Sequence, residues 1–435
     1  MPQGRPVQPN HSGTDKGYSA FGLVRILAAF LLMASGELVA QKAADQSQAG
    51  VEYIAVDVTT PIDQALERGI LASHLPEGFR NTVIAIDNPL LLLIKSRPNA
   101  LLFDNDGNRF TGAYRVAASL NLVGPIGLDD TFSAHAFGTD ERFLFRRLAY
   151  VVPVGSYGTR IGASYFDFDY RLAKDFEAFK AHGYGNSSSL HALQPIVQTR
   201  AANIILSYAY ERTKLDDRID SFGIIVDRTI VSGKFGIVGD FRDGTFGGGL
   251  NSFGYTITEG HMDIGPFLLL VTDLGGRRTQ GRFAKYNYEF RRLRKLTENT
   301  SLLLSVRGQK VSKNMTSAEK FFLGGAAGVR AYPAGEAGGD IGHLFQGELR
   351  YLVPGFKIGS GDLALTAFYD QGYVKINKNN LITPGAETQN SRNIIGYGIG
   401  FHVGNAADFV VRASVAWRAE TEAPRSDTAK RIPRV

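Results

Sequence analysis

Two stretches of this sequence hold a charge among small and aromatic residues, which is where chemistry is first sought. One is Phe322-Leu323-Gly324-Gly325-Ala326-Ala327-Gly328-Val329-Arg330-Ala331-Tyr332-Pro333-Ala334-Gly335-Glu336-Ala337-Gly338-Gly339-Asp340-Ile341-Gly342. The other is Phe368-Tyr369-Asp370-Gln371-Gly372. A guanidinium and a carboxylate offer a bidentate, charge-assisted pair rather than bond-making chemistry. The familiar catalytic patterns are missing from the sequence. With 0 Cys in 435 residues there is no thiol nucleophile, disulfide scaffold or Cys-ligated metal. The 8 His are scattered without His-Glu-x-x-His, and there is no Gly-x-Ser-x-Gly elbow. Gly324-Gly325-Ala326-Ala327-Gly328 lacks the Lys-Ser/Thr of a phosphate loop. Asp104-x-Asp106-x-Asn108 starts like a calcium loop, but Arg109 and Arg115 stand where Gly and Glu are needed, so it reads as a polar hairpin. No enzyme activity, cofactor or metal is expected. The 48 basic and 42 acidic residues give +6, yet the cations are dispersed instead of forming one stripe, so no nucleic-acid partner is expected either.

The elements that must position Arg330 and Asp370 read as strands. From residue 97 onward apolar and polar residues alternate, as in Tyr286, Tyr288 and Phe290 against Lys285, Asn287 and Glu289. The same holds for Leu302, Leu304 and Val306 against Ser301, Ser305 and Arg307. Successive strand side chains point to opposite faces, giving each segment one greasy and one polar face. Fifteen segments follow this rule, near 97–104, 110–122, 129–138, 143–152, 159–168, 187–194, 202–211, 219–240, 249–259, 282–293, 299–311, 343–353, 361–370, 394–403 and 408–418. Short turns alternate with longer connections, read at 169–186, 212–218 and 312–342. A soluble sandwich would bury the apolar face, whereas a membrane barrel shows it to lipid and keeps a polar lumen. Segment length, full charges on the polar face (Arg115, Arg307, Glu348, Arg350) and aromatics at strand ends (Tyr150, Tyr208, Tyr210, Tyr351, Trp417) favour the barrel. No apolar run is long enough for a helical span.

Ahead of the barrel, residues 1–40 read as a signal peptide: Arg5, Lys16 and Arg25 precede Ile26–Met33 and a small-residue end. Residues 41–96 then suggest a small α+β module, with Thr60 capping a helix that starts at Pro61. The barrel is read over 97–418, with 419–435 as a C-terminal loop.

Parity places Asp370 inside. Leu363, Leu365, Ala367 and Tyr369 take the lipid face of their strand, so Asp370 faces the lumen and can receive Arg330. A connection of some thirty residues in a compact barrel needs a job. The glycine-rich segment, running into Gln346-Gly347-Glu348-Leu349-Arg350-Tyr351, resembles the inward-folding loop of two-partner secretion transporters, the TpsB or hemolysin secretion/activation family, relatives of BamA. In that family the loop tip reads Val-Arg-Gly-Tyr, followed by Gly-Glu and Gly-Asp-x-Gly, and a barrel strand carries Phe-x-Asp-x-Gly. Phe368-Tyr369-Asp370-Gln371-Gly372 matches the second motif, and Tyr150-Val151-Val152-Pro153 adds agreement.

The resemblance implies a 16-stranded outer-membrane barrel and an Arg330–Asp370 contact. It implies a loop tip of Val329, Arg330, Ala331 and Tyr332, supported by Gly324, Gly325, Gly335, Glu336 and Asp340, with Phe368, Asp370 and Gly372 on the wall. It further implies export of a partner exoprotein, unfolded in the periplasm, by a monomer or weak dimer in outer-membrane lipid. This sequence departs from the family in three ways. Ala331 stands at a family Gly, residues 41–96 leave room for one reduced POTRA module, and a sixteenth strand would begin near 431–435, so the barrel is expected to lack it. A membrane-protein insertion factor, a diffusion porin and a soluble sandwich remain as alternative readings.

Overall fold

The computed structural model describes residues 100–108, 110–245, 248–359, 361–380, 389–405, 409–419 and 424–425. The expected signal peptide, the module at 41–96 and the start of a sixteenth strand lie outside the described residues.

Among the described residues, fifteen strands form one antiparallel sheet in which each pairs with the next of the fifteen in sequence. They are β1 (Ala100–Asp104), β2 (Arg115–Val123), β3 (Thr131–Thr139), β4 (Phe143–Val154), β5 (Thr159–Arg171), β6 (Ala181–Gln198), β7 (Ala202–Ile219), β8 (Ile224–Asp243), β9 (Gly249–Ile264), β10 (Gly281–Lys295) and β11 (Thr300–Val311). After the long loop come β14 (Ile341–Ile358), β15 (Gly361–Lys375), β16 (Ser391–Asn405) and β17 (Phe409–Arg418). Inside the loop, β12 (Phe321–Phe322) and β13 (Gly338–Gly339) form a separate two-stranded neck. An α-helix, α1 (Phe267–Gly275), follows β9, and no described helix is long and apolar enough to cross a membrane.

Alternation drives this sheet. Leu190, Tyr208, Phe235, Tyr286, Leu365, Ile399 and Trp417 are exposed on its outer face, while Ser187, Ser232, Ser252, Ser305 and Gln309 are buried on the inner one. Placed in hydrocarbon, such an outer face removes apolar area from water at about 25 cal/mol per Å². Tyr208, Tyr210, Tyr351 and Trp417 are exposed, as an interfacial girdle requires.

The structure corrects the sequence reading at two connections. Residues 212–218 are strand throughout, and half of 169–186 is strand, because β5 runs to Arg171 and β6 starts at Ala181. Here β6, β7 and β8 have 18, 18 and 20 residues, well beyond the ~10 that cross a bilayer. The outward faces of the outer ends of β6 and β7 are largely polar (Asn186, Lys214, Asp216 and Arg218), so hydrogen bonding continues after lipid contact, and its alternation signal, has ended.

The interior also departs from a uniformly polar lumen. Phe137, Phe143, Phe145 and Phe168 are buried on the inner face toward the outer mouth, with Phe137 stacked on Phe143 at 5.2 Å and on Phe145 at 5.3 Å. Luminal charges elsewhere are paired, as in Arg115 with Asp104 at 2.7 Å and Lys234 with Glu211 at 3.0 Å.

Candidate functional site

The connection between β11 and β14 folds back on itself and is held against the inner wall. Its neck is the Phe321↔Gly339 and Phe322↔Gly338 ladder. Beyond it, the amides of Leu323 and Gly324 donate to the Glu336 carbonyl at 3.2 and 3.0 Å, and Gly325 donates to Tyr332 at 3.1 Å. Gly325 and Gly335 adopt φ of +116° and +78°, where a side chain is strained. This explains why the strand gives way to a compact loop here.

The loop's apolar face seals it to the wall. Leu323, Val329 and Tyr332 are fully buried against Leu344 of β14, Val374 of β15 and Ile394 of β16. Gly372 provides the space for Leu323, since a Cβ there would lie 2.6 Å from the leucine side chain.

Arg330 projects from this seal to two acids. Its Nε and Nη2 donate to Asp370 Oδ2 and Oδ1 at 2.9 and 2.8 Å, and its backbone amide donates to Oδ2 at 3.0 Å. The remaining terminal nitrogen donates to Glu348 of β14, whose other oxygen accepts from Arg350 Nε at 2.8 Å. The guanidinium carbon lies 3.5 Å from the Phe368 ring centroid, a stacked cation–π contact. Asp370 is 0% exposed. Burial opposes the charge on Arg330, but the bonds and charges of Asp370 and Glu348 outweigh it and hold the guanidinium above its ordinary pKa. The expected bidentate Arg330–Asp370 pair is therefore present.

The supporting residues each have partners. Glu336, buried at the return bend, pairs with Arg392 of β16, and both its oxygens accept the Arg425 amide at 3.1 Å. Asp340 accepts from Lys320 Nζ at 2.8 Å, from the Met315 amide at 3.2 Å and from the Lys378 amide at 2.8 Å, which ties the loop stem to the β15–β16 connection. Arg307 Nη2 and Gln346 Nε2 donate to the carbonyls of Ala327 at 2.6 Å and Gly328 at 2.9 Å.

Sequence reasoning named neither Glu348 nor Arg392 as a loop partner. Glu348 was within reach of a register argument, since it lies opposite Phe368 and shares the inward parity of Asp370. Arg392 carried no such signal, because its partner comes from a loop.

Ala331 needs no strained backbone, and it is absent from the residues with positive φ. Its methyl instead fits over Gly396 of β16, where an added Cβ would lie 2.7 Å from it and 3.2 Å from Val329 Cγ1. Gly396→Ala is therefore expected to unseat the tip by about 1–3 kcal/mol through overpacking. Ala331→Gly in the same chain should restore it. Limited proteolysis of the folded barrel across 324–336 reads both effects; equal cleavage in wild type and Gly396→Ala would refute the fit.

A meander of membrane-length strands, greasy outside, with an outer loop locked into its interior by an arginine–carboxylate cluster, defines an outer-membrane β-barrel. Residues 98–403 match the family of haemolysin secretion/activation proteins ShlB/FhaC/HecB, and the chain belongs to that family. Among characterised relatives it is 27% identical over 322 residues to the heme/hemopexin transporter protein HuxB of Haemophilus influenzae, covering 72% of this chain and 55% of that protein. HuxB of strain 86-028NP is 26% identical over 325 residues, with the same coverage. The chain thus spans about half the length of the curated relatives it matches. In fold it resembles CdiB from Escherichia coli, with a TM-score of 0.59 at 18% identity over 76% of this chain and 62% of that one. CdiB from Acinetobacter baumannii gives a TM-score of 0.55 at 20% identity over 75% and 56%.

Proposed function

We propose that this barrel is the outer-membrane pore of a two-partner secretion pair, passing an unfolded exoprotein from periplasm to cell surface without covalent chemistry. The observation that carries this reading is the loop tip itself. A diffusion pore gains nothing from burying Arg330, whereas a polypeptide conduit needs an internal element whose seat can be loosened when cargo arrives. The similarity to HuxB, a heme/hemopexin transporter, supports this reading.

In this scheme Val329, Arg330, Ala331 and Tyr332 form the gate. Gly324, Gly325, Gly335, Glu336 and Asp340 set its shape, while Phe368, Asp370 and Gly372 are its seat. Residues 41–96 act as a reduced POTRA-like docking segment behind a signal peptide at 1–40, and the barrel works as a monomer or weak dimer. The reading is tested by expressing the chain together with a candidate large exoprotein. Appearance of the exoprotein in the medium only when the barrel is present is the expected result. Retention in the periplasm despite a folded, heat-modifiable barrel would remove the reading in favour of a porin or an insertion factor.

A further inference from the structure

The outer ends of β4 to β7 carry a charged surface that the loop site does not use. Register aligns the outward residues in rows. Tyr165, Ser188 and Arg212 form the row nearest the lipid belt, followed by Arg146, Asp167, Asn186 and Lys214. Next come Leu144, Asp169, Tyr184 and Asp216, and outermost are Arg171, His182 and Arg218. Arg142, just ahead of β4, joins the last row, its carbonyl accepting the Arg171 amide at 3.1 Å. Arg142, Asp169, Arg171, His182, Tyr184, Asp216 and Arg218 line a cleft of about 410 Å³.

Ion pairing divides these groups. Arg218 donates to both oxygens of Asp216 at 2.8 and 3.0 Å, and Arg146 pairs with Asp167 at 2.7 Å. His182 lies 3.8 Å from Asp220. Arg142, Arg171, Arg212 and Lys214 have no side-chain partner among the described residues, against three carboxylates without a lysine or arginine partner, Asp169, Asp220 and Asp227, of which Asp227 shares a hydrogen bond with Asp216. The surplus is cationic, and two of its members are arginine forks at one cleft.

Height fixes what the cleft meets. Arg171 lies two residues beyond Asp169, the register partner of Tyr184, roughly 7 Å along a strand tilted by about 40°, so roughly 5 Å above that tyrosine. That is beyond the acyl chains and within the headgroup layer of the leaflet around the barrel. Tyr165 and Tyr184, whose hydroxyls lie 3.4 Å apart, mark the boundary.

We propose that this outward cleft binds the phosphate groups of an anionic glycolipid in the outer leaflet, with Arg142 and Arg171 as the phosphate forks and Arg212 and Lys214 as flanking charges. Guanidinium forks match phosphate oxygens bidentately, and a cleft of this size admits a sugar phosphate while leaving acyl chains on the greasy wall below. The inference rests on the outer-membrane setting and not on the export reading.

The test uses the purified full chain in detergent, titrated with bisphosphorylated lipid A, with dephosphorylated lipid A and with sodium phosphate, retention being read by native mass spectrometry. Wild type is expected to retain the bisphosphorylated lipid, and Arg142→Ala/Arg171→Ala to lose about thirtyfold in affinity. Dephosphorylated lipid should bind wild type as weakly as the phosphorylated lipid binds the double variant. Arg142→Lys/Arg171→Lys, which keeps charge without the fork, should fall between, and it decides the matter if the alanine variant does not fold. Equal retention of the two lipids, or unchanged binding by the lysine and alanine variants, overturns the site. Saturation by free phosphate at lipid-like affinity also overturns it, as does displacement of the lipid by an acidic peptide.

Discussion

Asp370→Ala is expected to abolish most secretion while leaving a barrel that still migrates as a folded, heat-modifiable band. The substitution removes three of the four hydrogen bonds that Arg330 makes at the wall, leaving the cation with Glu348 and the Phe368 face. Breaking a buried pair by deleting one partner costs about 3–5 kcal/mol, because the surviving charge stays desolvated. The sheet can escape that cost by releasing the loop, since the strands do not depend on the loop for their ladder. The loop should therefore leave its seat and become open to protease near Arg330. Arg330→Ala should behave alike, and the double variant should be no worse than either single one. Arg330→Lys keeps the charge but loses the two-point contact, so it should lie closer to Asp370→Ala than to wild type. Wild-type export by Arg330→Lys would show that bidentate geometry is irrelevant.

The same comparison shows how far the sequence carries. Leu363, Leu365, Ala367 and Tyr369 place Asp370 in the lumen, because lipid contact forces a strict period of two that parity arguments can use. Where the strands leave the lipid that constraint lapses. Residues 212–218, Arg-Thr-Lys-Leu-Asp-Asp-Arg, hold one apolar residue, Leu215, too few to show an alternation, and read as a loop, yet β7 continues through them to Ile219. The Phe137–Phe145–Phe168 cluster was hidden for a related reason: an inward aromatic looks the same in a one-dimensional pattern as an outward one shifted by a residue. The loop was legible through its glycines and its single arginine, but its second acid, Glu348, and the Glu336–Arg392 pair were set by tertiary register. That register depends on contacts between segments some 18 and 56 residues apart.

Gly328→Val should have the second-largest effect, and for a reason that separates the shape of the loop from its charge. A Cβ at Gly328 would lie 1.9 Å from the Leu323 carbonyl oxygen and 2.7 Å from its carbon, both backbone atoms of the same loop. No rotamer change relieves such a clash. The chain must open the turn in which Gly328 donates to Gly325 at 3.0 Å and Val329 donates to Leu323 at 2.6 Å. That bond sets the height at which Arg330 meets Asp370, so the pair is lost although both charges are intact. Secretion should fall nearly as far as in Asp370→Ala, and adding Asp370→Ala to Gly328→Val should bring it only to the level of Asp370→Ala alone. Gly372→Ala is the milder control, since there the added methyl meets the Leu323 side chain, which can turn aside. If Gly328→Val secreted normally while Asp370→Ala did not, the ion pair would act without the folded tip, and the tip's shape would have no part in gating.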